Sequence, residues 1–159
     1  MSDELITTDS PLAKEERETL QTLVGMMVPA SEEYQVPGAD DAQIFARILA
    51  TPNETLGAVT SDLAALDQAS MDQYGERFPA LKDDQRMPLL MEFSVTHPMF
   101  MLTLVGITMN CYYQDDRVLA SLDMEARPPY PEGFIVEQGD WSLLEPVQQR
   151  PKMYREDSE

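Results

Sequence analysis

Between Glu54 and Tyr74 the apolar residues Leu56, Val59, Leu63 and Leu66 fall alternately three and four positions apart. That spacing lays them along one seam of a long helix and does not suit the two-residue repeat of a strand. A seam of this kind belongs to a core, so the rest of the chain has to supply helices that cover it. From Pro11 to Val28 the residues Leu20, Leu23, Val24, Met27 and Val28 recur at helical spacing, Glu15, Glu16 and Glu18 stand early, where a helix dipole favours acids, and Pro29 closes the segment. A turn-rich stretch, 31–38, leads to Ala39-Asp40-Asp41, where an aspartate is placed to cap a helix carrying Ile44, Phe45, Ile48 and Leu49. Thr51-Pro52-Asn53 breaks that helix and starts the next, and Gly75 and Pro79 bracket another connection. Asp83-Asp84 opens a helix through Met87, Leu90, Met91 and Val95, with Pro88 expected in its first turn. His97-Pro98 separates it from an apolar run that ends at Tyr113. No alternating segment is long enough for a convincing strand, and no internal repeat is visible. The expected fold is all-α: a small helical bundle of about five helices over residues 1–125, then an extended Pro-rich C-terminal tail over 126–159.

A chain of 159 residues suits one ordinary domain with a real core, here with a tail. Its 43% hydrophobic content argues against wholesale disorder, while 29 acidic against 11 basic residues give a net charge of −18. Such a charge disfavours nucleic acid and anionic membrane, both of which present negative surfaces. A protein partner or a small cationic or neutral ligand remains compatible with it. The most apolar stretch, Pro98 to Tyr113, is shorter than a spanning helix and includes Thr103, Thr108 and Asn110, so no membrane insertion is expected and it reads as a buried helix. The start, Met1-Ser2-Asp3-Glu4-Leu5, is acidic and lacks an arginine pair or apolar stretch, which makes the cytoplasm the expected address.

The residues that usually carry chemistry are sparse. A lone cysteine, Cys111, provides for no intrachain disulfide and no multi-cysteine metal centre. The single histidine, His97, precedes a proline between two apolar segments and reads as structural or helix-capping. The pairs Asp40-Asp41, Asp83-Asp84 and Asp115-Asp116 lack the ligand spacing of a calcium loop. The first two lie where helices begin, so capping is their expected work; the third belongs to a turn or a short new helix. The glycines form no phosphate-binding or dinucleotide loop, so no cofactor site is expected in this chain. Eleven methionines raise the question of copper or an adaptable groove, but most sit beside leucine and valine in apolar segments, where core filling is the expected role.

From Arg127 onward Pro128, Pro129, Pro131, Pro146 and Pro151 forbid long helices, while Tyr130, Phe134, Trp141 and Tyr154 supply large apolar surfaces. Only Trp141 to Val147 has room for a short helix, which Pro146 is expected to end early. The tail either folds back over its own bundle or docks on a partner. Tyrosine, tryptophan and arginine dominate binding anchors, so the candidate partner-binding residues are Tyr112, Tyr113, Arg117, Arg127, Tyr130, Trp141 and Arg155. For Arg117 an internal role, positioned by Asp115 and Asp116, stands open beside the contact role.

The segments Val28-Pro29-Ala30, Val36-Pro37-Gly38-Ala39-Asp40 and Tyr112-Tyr113-Gln114-Asp115-Asp116-Arg117-Val118 together resemble the small third subunit of gluconate 2-dehydrogenase and its relatives. Arg127-Pro128-Pro129-Tyr130-Pro131-Glu132-Gly133 is similar to the Pro-rich end of the same group. The resemblance implies a non-catalytic accessory subunit of a large FAD-dependent oxidoreductase of the glucose-methanol-choline type, which oxidises a sugar or polyol. The FAD is then expected in the partner, and this chain's task would be assembly, stability or maturation of that partner. Two departures stand out. Many members carry a twin-arginine signal that this N-terminus lacks, which implies either a complex kept inside or export with a signal-bearing partner. After Val118-Leu119-Ala120-Ser121-Leu122, where the resemblance leads one to expect glycine, the chain has Asp123, which puts the turn there in question. Two other functions fit the residues: a stand-alone helical enzyme or ligand-binding protein with a pocket among the methionine-rich helices, and a self-associating structural protein.

Overall fold

The computed structural model describes residues 12–126 and 139–151. By its internal contacts the chain divides into two compact units, Met1–Ala126 and Arg127–Glu159. Among the described residues of the first, six helices follow one another: α1 (Lys14–Met27), α2 (Ala42–Leu49), α3 (Asn53–Tyr74), α4 (Asp83–Thr96), α5 (Pro98–Tyr112) and α6 (Asp116–Ser121), with a 3-10 turn at Phe78–Ala80. No strand occurs among the described residues; a single antiparallel bridge joins Ser31 to Val36.

The seam read from the spacing is the centre of the core. Leu56, Val59, Leu63 and Leu66 of α3 are fully buried, against Leu20, Leu23 and Val24 of α1 and with Leu104 of α5 in the same cluster. Helix α5 is the hub, packing on α1, α2, α3 and α4. The expected boundaries hold. Ala13 N–H donates to Glu16 at 2.7 Å at the start of α1, Asp41 caps α2 by accepting from Gln43 N–H at 3.0 Å, and α3 ends at Gly75, whose φ of 75° is the left-handed conformation glycine allows.

A knot of hydrogen bonds centred on Asp67 and Arg77 ties α1 to α3. Asp67 on α3 accepts from Arg77 Nη2 at 2.8 Å and Nε at 3.1 Å, from Thr19 Oγ1 at 2.9 Å and, through its other oxygen, from Phe78 N–H at 3.1 Å. Arg77 also donates to Glu18 Oε2 at 2.9 Å and to the Glu15 carbonyl at 2.6 Å. These charge-assisted bonds anchor the 3-10 turn, whose Phe78 is completely buried.

Several expectations are corrected. Pro88 is the sixth residue of α4, inside the helix rather than in its first turn. It is tolerated at this place because the carbonyl it leaves without an i+4 donor belongs to Asp84, an exposed residue. Helix α4 buries Leu89 and Phe93, while Met87, Met91 and Val95 of the expected apolar face are exposed. Methionine as core filler fails at the same places, since Met71, Met87, Met91, Met99 and Met124 are all exposed, while Met26, Met27 and Met101 pack partly against the core. Helix α5 is half-buried rather than buried: Phe100, Leu104, Ile107 and Cys111 face inward, Met99, Leu102 and Val105 outward. No single described helix is long and apolar enough to cross a membrane; α4 and α5 reach that length and composition only together, and the chain bends by 113° between them.

The Asp123 position explains why glycine is expected there. Met124 N–H donates to the Leu119 carbonyl at 3.0 Å and Asp123 N–H to the Ala120 carbonyl at 3.1 Å, the paired bonds that end a helix through a left-handed residue. Asp123 adopts the required φ of 55° and the turn forms without glycine. An L-residue there is strained, whereas glycine is not but loses more freedom on folding. Asp123→Gly is therefore expected to stabilise the chain by about 0.5 kcal/mol, seen as a small rise in melting temperature.

In the second unit, a 3-10 turn at Trp141–Leu144 runs into a helix, α7 (Glu145–Gln148). Pro146 does not end this element; it occupies the first turn of α7, where its missing N–H leaves no intrahelical bond unmade. Asp140 caps the turn, accepting from the backbone N–H of Ser142 at 3.0 Å.

Candidate functional site

Of the three segments that single out this chain, two are near neighbours in sequence and the third lies far downstream, and all three meet in space. Ala39 N–H donates to the Val28 carbonyl at 2.9 Å, which seats the 36–41 turn on the end of α1. The seat is tight: a β-carbon on Gly38 would lie 2.9 Å from Ala30 N and 3.1 Å from the Val28 oxygen, so two backbones approach there as only glycine permits. The third segment closes on the same turn, with Tyr112 donating its hydroxyl to the Pro37 carbonyl at 3.2 Å.

Arg117 bolts the assembly together. Its Nε and Nη2 donate to the two oxygens of Asp115 at 2.9 and 3.1 Å, and its Nη2 and Nη1 to the two oxygens of Asp41 at 2.6 and 3.2 Å. The planar fork of a guanidinium is suited to gripping two carboxylates this way, and lysine would not replace it. Asp115 also caps α6, accepting from the Arg117 N–H at 3.0 Å, and is almost fully buried. Arg47 on α2 donates to the Gln114 carbonyl, a further tie between α2 and this turn. The hydrogen bonds from Arg117 hold Asp41 and Asp115 below the usual aspartate range, against the opposing effect of burial, and the two carboxylates push the guanidinium pKa still higher.

The other singled-out groups are likewise occupied with structure. His97 stacks on Phe93 with ring centroids 3.9 Å apart, its Nδ1 lies 2.8 Å from Thr96 Oγ1, and its Nε2 is 3.8 Å from Asp62. Burial raises the Cys111 thiol above its ordinary pKa, away from the thiolate a nucleophile needs. Among the described residues no three His, Cys, Asp or Glu side chains converge on a possible metal position. An open groove of about 560 Å³ between α1 and α4 is lined by Thr22, Met26, Asp40, Asp83, Arg86 and Met87. Arg86 there donates to Asp83 at 3.1 Å and to the Pro79 carbonyl at 2.6 Å.

Of the candidate contact residues, Tyr112 and Arg117 thus lie in the joint itself, the former buried and the latter gripped on both sides. Tyr113 stacks edge-on with Tyr112 and is exposed. Trp141, in the second unit, is 68% exposed. Arg127, Tyr130 and Arg155 lie outside the described residues. Sequence reasoning missed Asp41 as the second partner of Arg117, and Asp67 and Arg77 altogether; close spacing in sequence identified Asp115, but nothing local relates residues 41 and 117.

No curated protein and no solved structure matches this chain. A family model does match, over residues 14–125, from the first residue of α1 to the end of the turn that follows α6. The stretch covers more than half the chain and contains all three segments of the joint, and it places this protein in the gluconate 2-dehydrogenase subunit 3 family.

Proposed function

We propose that this chain is the non-catalytic small subunit of a sugar or polyol dehydrogenase complex, which it assembles, stabilises or helps to mature. The partner is a large FAD-dependent subunit of the glucose-methanol-choline type, and the flavin and the chemistry belong to it. Family membership carries this reading, since the family is that of a dehydrogenase subunit. It is supported by the use of the charged groups: Arg117, Asp41, Asp115, Arg77 and Asp67 are all spent on joining helices.

Purification of the tagged chain from its native cells, with mass spectrometry and an absorption spectrum of the eluate, tests the proposal. A stoichiometric large partner with flavin absorption is the expected result. Recovery of the chain alone and colourless under gentle conditions would overturn it. Within this reading Tyr113, Trp141 and the tail residues Arg127, Tyr130 and Arg155 remain the contact candidates. Trp141→Ala is expected to weaken association by roughly 2 kcal/mol or more, as for a buried aromatic anchor, and an unchanged dissociation constant would remove it from the interface.

A further inference from the structure

Helix α5 is apolar on both sides. From Pro98 to Tyr113 not one residue is charged, in a chain where charged residues make up 25%. Only one side is used by the core, and the other presents Met99, Leu102, Val105 and Tyr113 to water, with Leu102 64% exposed. A helix that is apolar all round is ordinarily covered all round. Helix α4, which leads directly into α5, adds two more exposed apolar side chains, Val95, 80% exposed, and Met91. Along α5 the outward residues 99, 102, 106, 109 and 113 alternate three and four apart, the spacing of a seam for another helix. Gly106 on this seam has nothing within 4 Å of an added β-carbon, so a partner backbone can approach closely there. Methionine and aromatic enrichment with depletion of charge is the composition of an interface centre.

We propose that this outer face of α5, together with Met91 and Val95 of α4, is the principal surface by which the chain docks on its large oxidoreductase subunit. The inference rests on the accessory-subunit reading and locates its interface. Two observations favour that occupant. The family match runs from 14 to 125 and so contains the whole face, whereas Trp141 and the rest of the second unit lie beyond it. The charges nearest in sequence are mostly acidic, Asp84 and Glu92 on α4 and Asp115, Asp116, Asp123 and Glu125 after α5, with two arginines between them, and both arginines are paired, Arg86 with Asp83 and Arg117 with Asp41 and Asp115. A second copy of this chain, or an anionic bilayer, would bring like charge to these edges; an apolar patch bordered by lysine and arginine would bring the opposite. The large subunit is therefore expected to offer such a basic-edged apolar surface.

The test uses the native complex. Tagged wild type, Leu102→Glu, Val95→Glu and Ala64→Glu, the last an exposed position on α3, are expressed in the source cells, and the flavin-absorbing large subunit recovered per chain is measured. Wild type and Ala64→Glu are expected to recover it equally, and the two face variants at least tenfold less, with unchanged helical circular dichroism. Equal recovery by all four would overturn the docking face while leaving the accessory-subunit reading intact; recovery of no flavoprotein even by wild type would overturn that reading and the face with it. A measurement without substitutions guards against misfolding of the variants: peroxide oxidation of Met91 and Met99 should slow at least tenfold in the complex relative to the free chain, with Met71 of α3 as the unprotected control. Unslowed oxidation overturns the proposal. So does a homodimer in light scattering, or binding to phosphatidylglycerol vesicles, that Leu102→Glu abolishes while the large subunit is still recovered.

Discussion

Arg117→Met is expected to destabilise the helical unit by about 2 kcal/mol at neutral pH, measured by urea denaturation of the isolated chain. The substitution keeps most of the side chain's bulk, so the loss is electrostatic. It strands Asp115, whose side chain is only 2% exposed, as a buried carboxylate without its cation, and deprives Asp41 of the same partner. Removing one side of a fully buried pair costs about 3–5 kcal/mol; the lower figure here reflects the 42% exposure of the Arg117 side chain, which leaves solvent to screen part of the interaction. The pH dependence separates this cause from lost packing. In the wild type both aspartates are held below the ordinary value of 3.8 by their hydrogen bonds to Arg117. A depressed carboxylate contributes stability that is fully present above its unfolded pKa and is lost as pH falls through the folded one. The contribution is therefore intact at neutral pH and fades below the ordinary aspartate range. In Arg117→Met the stranded Asp115 gains a proton more easily than in the wild type, so the gap between the two proteins should narrow as pH falls. A gap that stays constant from pH 7 to pH 3 would assign the loss to packing instead.

Asp67→Ala is expected to cost more, about 3 kcal/mol, because four donors converge on that one carboxylate. Its removal leaves the Phe78 N–H without its acceptor beside a buried ring and frees Arg77 from α3, while the Arg77 bonds to Glu18 and the Glu15 carbonyl survive. Asp67→Asn retains an acceptor for Phe78 but no charge for Arg77, and should lie between the two. An equal loss in both variants would show that the ion pair, not the backbone bond, dominates. Because Asp67 lies remote in sequence from Arg117, and the two clusters share no residue, the losses of Asp67→Ala and Arg117→Met should add within about 0.5 kcal/mol.

The helices were legible because their signals are local. The three-and-four spacing of Leu56 to Leu66 specifies a buried face whatever surrounds it, and Asp41 or Gly75 end or begin a helix through bonds within a few residues. Two kinds of feature were not legible. The Arg117 joint was half visible, since Asp115 is two residues away, but its other half is 76 residues upstream and no periodicity relates the positions. The opposite error concerns Met91, Val95 and Leu102: apolar residues at helical spacing were assigned to the core, and α5 carries more apolar surface than one core can take. Hydrophobicity states that a side chain avoids water, not which body covers it. The short helix α6 was left open between a turn and a helix and α7 was expected to be cut short, because each is a few residues defined by its start, Asp115 in one case and the first-turn Pro146 in the other.

The open apolar side of α5 also bears on how the chain survives before that side is covered. Nothing in the helix itself opposes sticking, so the colloidal stability of the free chain rests on the −18 charge carried elsewhere on its surface. That protection is long-ranged only at low ionic strength and weakens beyond about 10 Å at 0.1 M salt. It also vanishes near pH 4.1, where the net charge reaches zero. A cell making this chain in excess would thus hold an acidic, helix-exposing orphan that chaperones and proteases recognise by its bare face, which ties its lifetime to the supply of whatever buries Leu102.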